Sequence, residues 1–202
     1  MIKAVIFDMG GVVLDYSMNM AYKYLSGMLE TDIRKLKYTI SCIEPEFMKG
    51  KINKYEFWKS VSRKLGIKYN RKLASTLWLR NYAVKSRMRK DVINIAIRLK
   101  RNGYRTVMIS NTIKDHVAYN KKRRRYRFFN PVILSCDVGM VKPDKNIYLL
   151  AAKRLKLKPR ECVFIDDAKI NVIGARKAGM KAIHFRNPRQ LKVGLRRMNV
   201  II

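Results

Sequence analysis

The chain has 202 residues, of which 48% are hydrophobic and 10% aromatic. That composition excludes a disordered chain and suits one sizeable core with a modest inserted unit. The charge is extreme: 46 Lys and Arg stand against 14 Asp and Glu, a net +32, a field that attracts polyanions and predicts non-specific nucleic-acid binding.

The basic residues are nevertheless spread along the chain, as solvated faces would place them. No apolar run approaches the length of a membrane span, and Met1-Ile2-Lys3 leads straight into an apolar segment. Cys42, Cys136 and Cys162 share no metal-type spacing. The expectation is a cytoplasmic protein with reduced thiols, no signal peptide and no membrane partner.

Ala4 to Phe7 is a short apolar run of the kind a buried parallel strand needs. It ends at Asp8, and Gly10-Gly11 follow. A carboxylate at the end of a buried strand, backed by a flexible turn, is where α/β proteins place chemistry. From Tyr16 to Arg87 the pattern turns helical. Tyr22, Leu25 and Leu29 recur at helical spacing, as do Trp58, Val61 and Leu65, and Leu73, Leu77 and Trp78 begin a further apolar face. Pro45 and the Gly50 to Asn53 stretch are expected to break the run, and Gly66 to end a helix.

Asp91 to Arg101 reads as a helix ended by Asn102-Gly103. A strand over Arg105 to Ile109 then delivers Ser110-Asn111-Thr112. A hydroxyl or amide there, with the N–H groups of the next helix, makes a phosphate cradle, although a Ser-Asn pair is equally a helix cap. His116 follows in that helix, either facing an opening or serving only in packing. Lys121 to Arg127 (KKRRRYR) is the densest basic run, expected in a solvated loop or helix end before a strand over Val132 to Leu134. Lys142-Pro143-Asp144 opens the next helix, with Pro143 near its first position and Ile147, Leu150 and Ala151 on its buried face. Glu161 to Asp167 (ECVFIDD) is a fourth strand ending in two carboxylates, a costly pairing unless it binds a cation or a partner. Asn171 and the stretch to Gly179 form a helix, Lys181 to Phe185 a fifth strand, and the tail to Ile202 a peripheral helix and edge segment.

Taken in order, KAVIFDMGGVVLD, SNT, GMVKPD and ECVFIDD resemble the four motifs of the haloacid dehalogenase superfamily, whose members are mostly phosphatases. FDMGGVVLD and SNTIKDH resemble the branch containing α-glucose-1-phosphate phosphatases. The resemblance implies an α/β fold: a Rossmann-like, parallel five-stranded sheet with helices on both faces and an inserted small helical cap. It implies a catalytic core of residues 1–15 and 88–202, and a cap of residues 16–87 that covers the active site and selects the substrate. It further implies that Asp8 attacks phosphorus, and that water hydrolyses the resulting aspartyl phosphate. Ser110, its neighbour Asn111, backbone N–H groups and Lys142 would hold the phosphate oxygens. Mg²⁺ would be held by Asp8, the Gly10 carbonyl and Asp167, with Asp166 behind. Two positions depart from the superfamily pattern Asp-x-Asp-x-Thr: Gly10 stands where the second Asp would be, and Val12 at the Thr position. The missing Asp is the residue that protonates the departing oxygen and then activates the water.

The expected function is a Mg²⁺-dependent phosphatase of a small phosphorylated metabolite, a sugar phosphate. A 2-haloacid dehalogenase would use the same nucleophile on carbon without a metal, and the paired acids disfavour it. The alternative of another class is a non-catalytic polyanion-binding protein on the same fold.

Overall fold

The computed structural model describes residues 1–202 except for the side chain of Leu73, so the expectation for that side chain lies outside the described residues. The chain enters through β1 (Ala4–Phe7), all four of whose residues are buried. A turn leads to β2 (Leu14–Asp15), which pairs antiparallel with β3 (Arg87–Met88). This two-residue ribbon is too short to read from periodicity, and both crossings to the inserted helices run through it.

Between β2 and β3 lie α1 (Met18–Met28), α2 (Ile33–Ser41), α3 (Glu44–Met48), α4 (Lys54–Leu65) and α5 (Arg71–Lys85). Local signals explain most of their ends. Asn53 and Glu56 form a capping box at the start of α4, and Gly66 closes it in the left-handed conformation. Pro45 starts a helix instead of breaking one: it occupies the first turn of α3, where a missing N–H costs nothing. The helices enclose an apolar cluster of their own around Leu36, Ile40, Phe57, Trp58, Leu77 and Trp78. Phe47 stacks on Phe57 at 4.5 Å. Burying each large side chain of this cluster contributes about 1.5–3 kcal/mol.

After β3 the chain alternates strand and helix: α6 (Lys90–Arg101), β4 (Arg105–Ser110), α7 (Lys114–Lys122), β5 (Val132–Leu134), α8 (Ser135–Val138), α9 (Lys145–Leu155), β6 (Cys162–Asp166), α10 (Lys169–Lys177), β7 (Lys181–His184) and α11 (Pro188–Arg196). The five long-range strands form one parallel sheet in the order β5-β4-β1-β6-β7. Ala4 is in register with both Arg105 and Cys162, so β1 lies at the centre. Successive β1 side chains face opposite layers. Val5 and Phe7 pack with residues of α6 and α11, such as Val92, Leu99 and Leu191. Ala4 and Ile6 pack with residues of α9 and α10, such as Ile147, Tyr148 and Val172. Burial on both faces is why these strands read as unbroken apolar runs.

Three expectations need correction. Pro143 is not at the first position of α9; it precedes the N-cap, Asp144, whose side chain accepts from Asn146 N–H. The Lys121 to Arg127 run is not wholly solvated. Arg125 is buried and donates to Ser86 Oγ and O and to Asn120 Oδ1, closing the turn after α7 against the end of α5. Ser110-Asn111 does not cap α7, whose N-cap is Ile113. Two further contacts tie the inserted helices to the sheet side: the Lys54–Asp115 ion pair at 2.9 Å, and Gly50 pressed against the Cys136 carbonyl. No helix among the described residues is long and apolar enough to cross a membrane.

Candidate active site

The carboxyl ends of β1, β4 and β6 meet below the inserted helices, and the cavity there has a volume of about 420 Å³. Asp8 follows β1 immediately, and its N–H continues the ladder to Ile165 O at 2.9 Å. The backbone register therefore aims it beside Asp166, the last residue of β6. Lys142 joins the two: its Nζ lies 2.5 Å from Asp8 Oδ1 and 2.6 Å from Asp166 Oδ2, with all three residues buried. Lys142 lies beyond both β5 and α8, on the loop that precedes α9. Asn111 holds that loop in place, since its amide donates to Lys142 O and its Oδ1 accepts from Lys142 N–H at 2.8 Å.

The two adjacent acids have different surroundings. Asp166 is fully enclosed and its oxygens are spoken for. Oδ1 accepts from Ala168 N–H and from Asn171, while Oδ2 accepts from Lys142 and Asn171. Asp167 is exposed and lines the cavity. Gly11, at φ +75°, lies directly against its carboxylate, and any Cβ there would overlap it. Oxygens of Asp8, Asp166 and Asp167 all fall within 4.8 Å of one another. Burial raises the pKa of Asp8, and the Asp166 and Asp167 charges push the same way, against the Lys142 ammonium. Burial and Asp166 likewise raise Asp167. One ammonium thus faces three converging carboxyl groups, and a divalent cation would relieve the remaining repulsion. The donor set is all oxygen, which suits a hard cation. Asp8 and Asp167 have free oxygens for it, whereas Asp166 is committed to orienting Lys142.

Among the other expected residues, Gly10 and Ser110 line the cavity. Ser110 Oγ makes one long contact, 3.4 Å to Asn111 O, so its hydroxyl can turn to a ligand. Gly10 does not need glycine's conformational freedom, and a Cβ there would meet only Tyr16 O at 3.6 Å. His116 faces the same cavity. Burial lowers its pKa to about 3, so the imidazole is neutral. It stacks on Tyr82 with ring centroids 3.8 Å apart.

Sequence reasoning missed Glu44, Tyr16 and Tyr82, which line this cavity, and took Trp78 only as part of an apolar helix face. Helical periodicity carries no sign of them. The one available signal was the scarcity of acids, which makes the two Glu of the ISCIEPEF segment, Glu44 and Glu46, unusual.

A family model described as haloacid dehalogenase-like hydrolase matches residues 2–179. D-ribitol-5-phosphate phosphatase of Bacteroides thetaiotaomicron is 24% identical over 196 residues, covering 93% of each chain. Bifunctional epoxide hydrolase 2 of Sus scrofa is 35% identical over 101 residues, which are 48% of this chain and 18% of that protein. The chain therefore spans less than a fifth of that relative's length. In fold it is similar to the crystal structure of the enzyme bt-2542 from Bacteroides thetaiotaomicron in complex with magnesium and inorganic phosphate. The TM-score is 0.74 at 21% identity, covering 92% of this chain and 95% of that one.

Proposed function

This chain belongs to the haloacid dehalogenase-like hydrolases, and from that premise we propose that it is a Mg²⁺-dependent phosphatase of a small phosphorylated metabolite, of the sugar-phosphate class. In this reading residues 1–15 and 88–202 are the catalytic core and residues 16–87 the cap. The observation that carries the proposal is the pairing of Asp8 with Lys142 at the floor of a cavity that also receives the uncommitted Asp167.

The Asp8 carboxylate is the nucleophile. An Asp8 oxygen bonds to phosphorus as the ester P–O bond breaks, and the electron pair leaves with the alcohol oxygen, which takes its proton from solvent water. Water then attacks the phosphorus of the aspartyl phosphate, releasing phosphate and restoring the carboxylate. Lys142 neutralises charge on the phosphoryl oxygens while remaining fixed by Asp166, and Ser110 Oγ donates to one of them. Asn111 acts through Lys142, whose backbone it holds. Asp8, Asp167 and the Gly10 carbonyl would hold Mg²⁺, which supplies charge neutralisation of the phosphoryl group when bound. Gly10 offers no proton to the departing oxygen, and a neutral His116 does not act as an imidazolium donor near pH 7.

Asp8→Asn tests the reading directly. Phosphate release from a phosphometabolite panel should fall to background in this variant, and in the wild type after EDTA treatment. Turnover that survives both would sink the phosphatase assignment. Metal-independent halide release from 2-haloacids would instead favour the dehalogenase alternative.

A further inference from the structure

Among the described residues, four buried side-chain atoms lack a hydrogen-bond partner, and three belong to residues lining the candidate active-site cavity: Glu44 Oε1, Trp78 Nε1 and His116 Nε2. Trp78 and His116 are 4% and 8% exposed. They come from α5 and α7, and Glu44 from α3, so three separate elements bring them to one space. Buried polar atoms are almost always paired, and three orphans in one cavity are hard to explain as packing faults.

Neighbouring polar groups offer these three atoms no hydrogen bond of normal geometry, although the Trp78 backbone lies near enough to the His116 ring to oppose part of the effect of burial. Tyr16 Oη donates to Asn81 Oδ1, and Tyr82 Oη accepts from Asn120. The indole N–H of Trp78 lowers the pKa of the nearby Tyr16 hydroxyl, yet makes no hydrogen bond of normal geometry. Asn19 Oδ1 accepts from Lys37. Despite 46 basic residues in the chain, no ion pair reaches Glu44 among the described residues.

Resting on the phosphatase reading, we propose that Glu44, Trp78 and His116 form a subsite that binds hydroxyl groups on the leaving-group side of the substrate. The chemistry of the three atoms selects the class. Trp78 Nε1 only donates, so it requires an acceptor. A neutral imidazole presents either a donor or an acceptor at Nε2, and the Glu44 carboxyl accepts when ionised and can donate when protonated. A hydroxyl donates and accepts, so a hydroxylated carbon chain can satisfy all three. An ammonium only donates and leaves the indole N–H unpaired, and an alkyl chain leaves all three unpaired. The subsite therefore discriminates against cationic and apolar phosphate esters of the same length, since a site built for hydroxyls rejects an analogue lacking them.

The test uses the full chain carrying Asp8→Asn, titrated calorimetrically with D-ribitol 5-phosphate, pentyl phosphate and 5-aminopentyl phosphate. Ribitol 5-phosphate should bind at least about tenfold more tightly than pentyl phosphate, the effect of one hydrogen bond at the upper end of its usual range. Adding Trp78→Phe, which keeps an aromatic ring but removes the N–H, should reduce that ratio by about tenfold. Glu44→Gln serves as a second probe of the ratio should Trp78→Phe fail to fold. A ribitol-to-pentyl ratio near one, tighter binding of 5-aminopentyl phosphate than of ribitol 5-phosphate, or a ratio unmoved by both variants overturns the subsite. These outcomes are separable from catalysis. If the ratio behaves as expected while the wild type releases no phosphate, the subsite stands and the phosphatase reading falls. Equal binding with active phosphate release removes the subsite and leaves the phosphatase reading standing.

Discussion

Replacing Glu44 by Gln should make stability less sensitive to pH. The Glu44 carboxyl is buried without a cationic partner, and burial raises its pKa from 4.5 to about 7. At pH 4 both the folded and unfolded forms carry a proton there, so no cost arises. Between about pH 4.5 and 7 the unfolded chain ionises first, and the folded state loses relative stability as pH rises. Above the folded-state pKa the loss is complete. The gap corresponds to an upper bound of about 3.5 kcal/mol, because one pKa unit is worth about 1.4 kcal/mol. Gln has nearly the same shape and never ionises. The variant should therefore match the wild type near pH 4 and exceed it by up to about 3.5 kcal/mol at pH 8. Urea unfolding of both proteins at the two pH values, in EDTA, measures the difference and cancels titrations common to both. An equal offset at pH 4 and pH 8 would mean that Glu44 ionises in the folded protein as freely as in the unfolded chain, and the account of its burial would be wrong.

Lys142→Met leaves Asp8 and Asp166 buried without their shared ammonium, so unfolding at neutral pH should be easier by about 3–5 kcal/mol. Added Mg²⁺ should recover part of that loss in a thermal melt, and no recovery would count against the carboxylates as a cation site. Gly10→Asp has room for its Cβ and restores a carboxyl where the superfamily has one. General acid–base help is worth about 10²–10⁴-fold in rate, so the gain should be largest on alkyl phosphates and small on aryl phosphates. Equal gains on both would show that leaving-group protonation is not the step Gly10 limits. On the charged surface, RNA binding should weaken steeply with salt, and neutralising exposed Lys121, Lys122, Arg123 and Arg124 should flatten that dependence. Binding that persists near physiological salt would favour a polyanion-binding role. Arg125→Ala should instead cost about 2–3 kcal/mol of stability in denaturant unfolding, because Ser86 and Asn120 lose a buried, charge-assisted donor.

Much of this protein is determined locally. A strand buried on both faces needs an uninterrupted apolar run, which is why Ala4–Phe7 and Cys162–Asp166 are legible as strands. Helix ends are equally local, as the Asn53 capping box and left-handed Gly66 demonstrate. Asp8 and the Asp166-Asp167 pair could be placed together because a parallel sheet gathers its strand ends at one edge. Tertiary packing decided the rest. Two adjacent acids in the sequence become different groups because β6 encloses Asp166 while the next residue turns toward the cavity. Asn111 is a reasonable phosphate ligand by type, but only the return of the loop carrying Lys142, 31 residues on, gives its amide the further part of holding that loop in place. Arg125 looks like one charge in a solvated run until the end of α5 packs over it. Glu44, Trp78 and His116 meet only because α3, α5 and α7 converge over the sheet. Periodicity shows that a helix has an apolar face; which of its polar atoms are left without a partner depends on the elements packed against it.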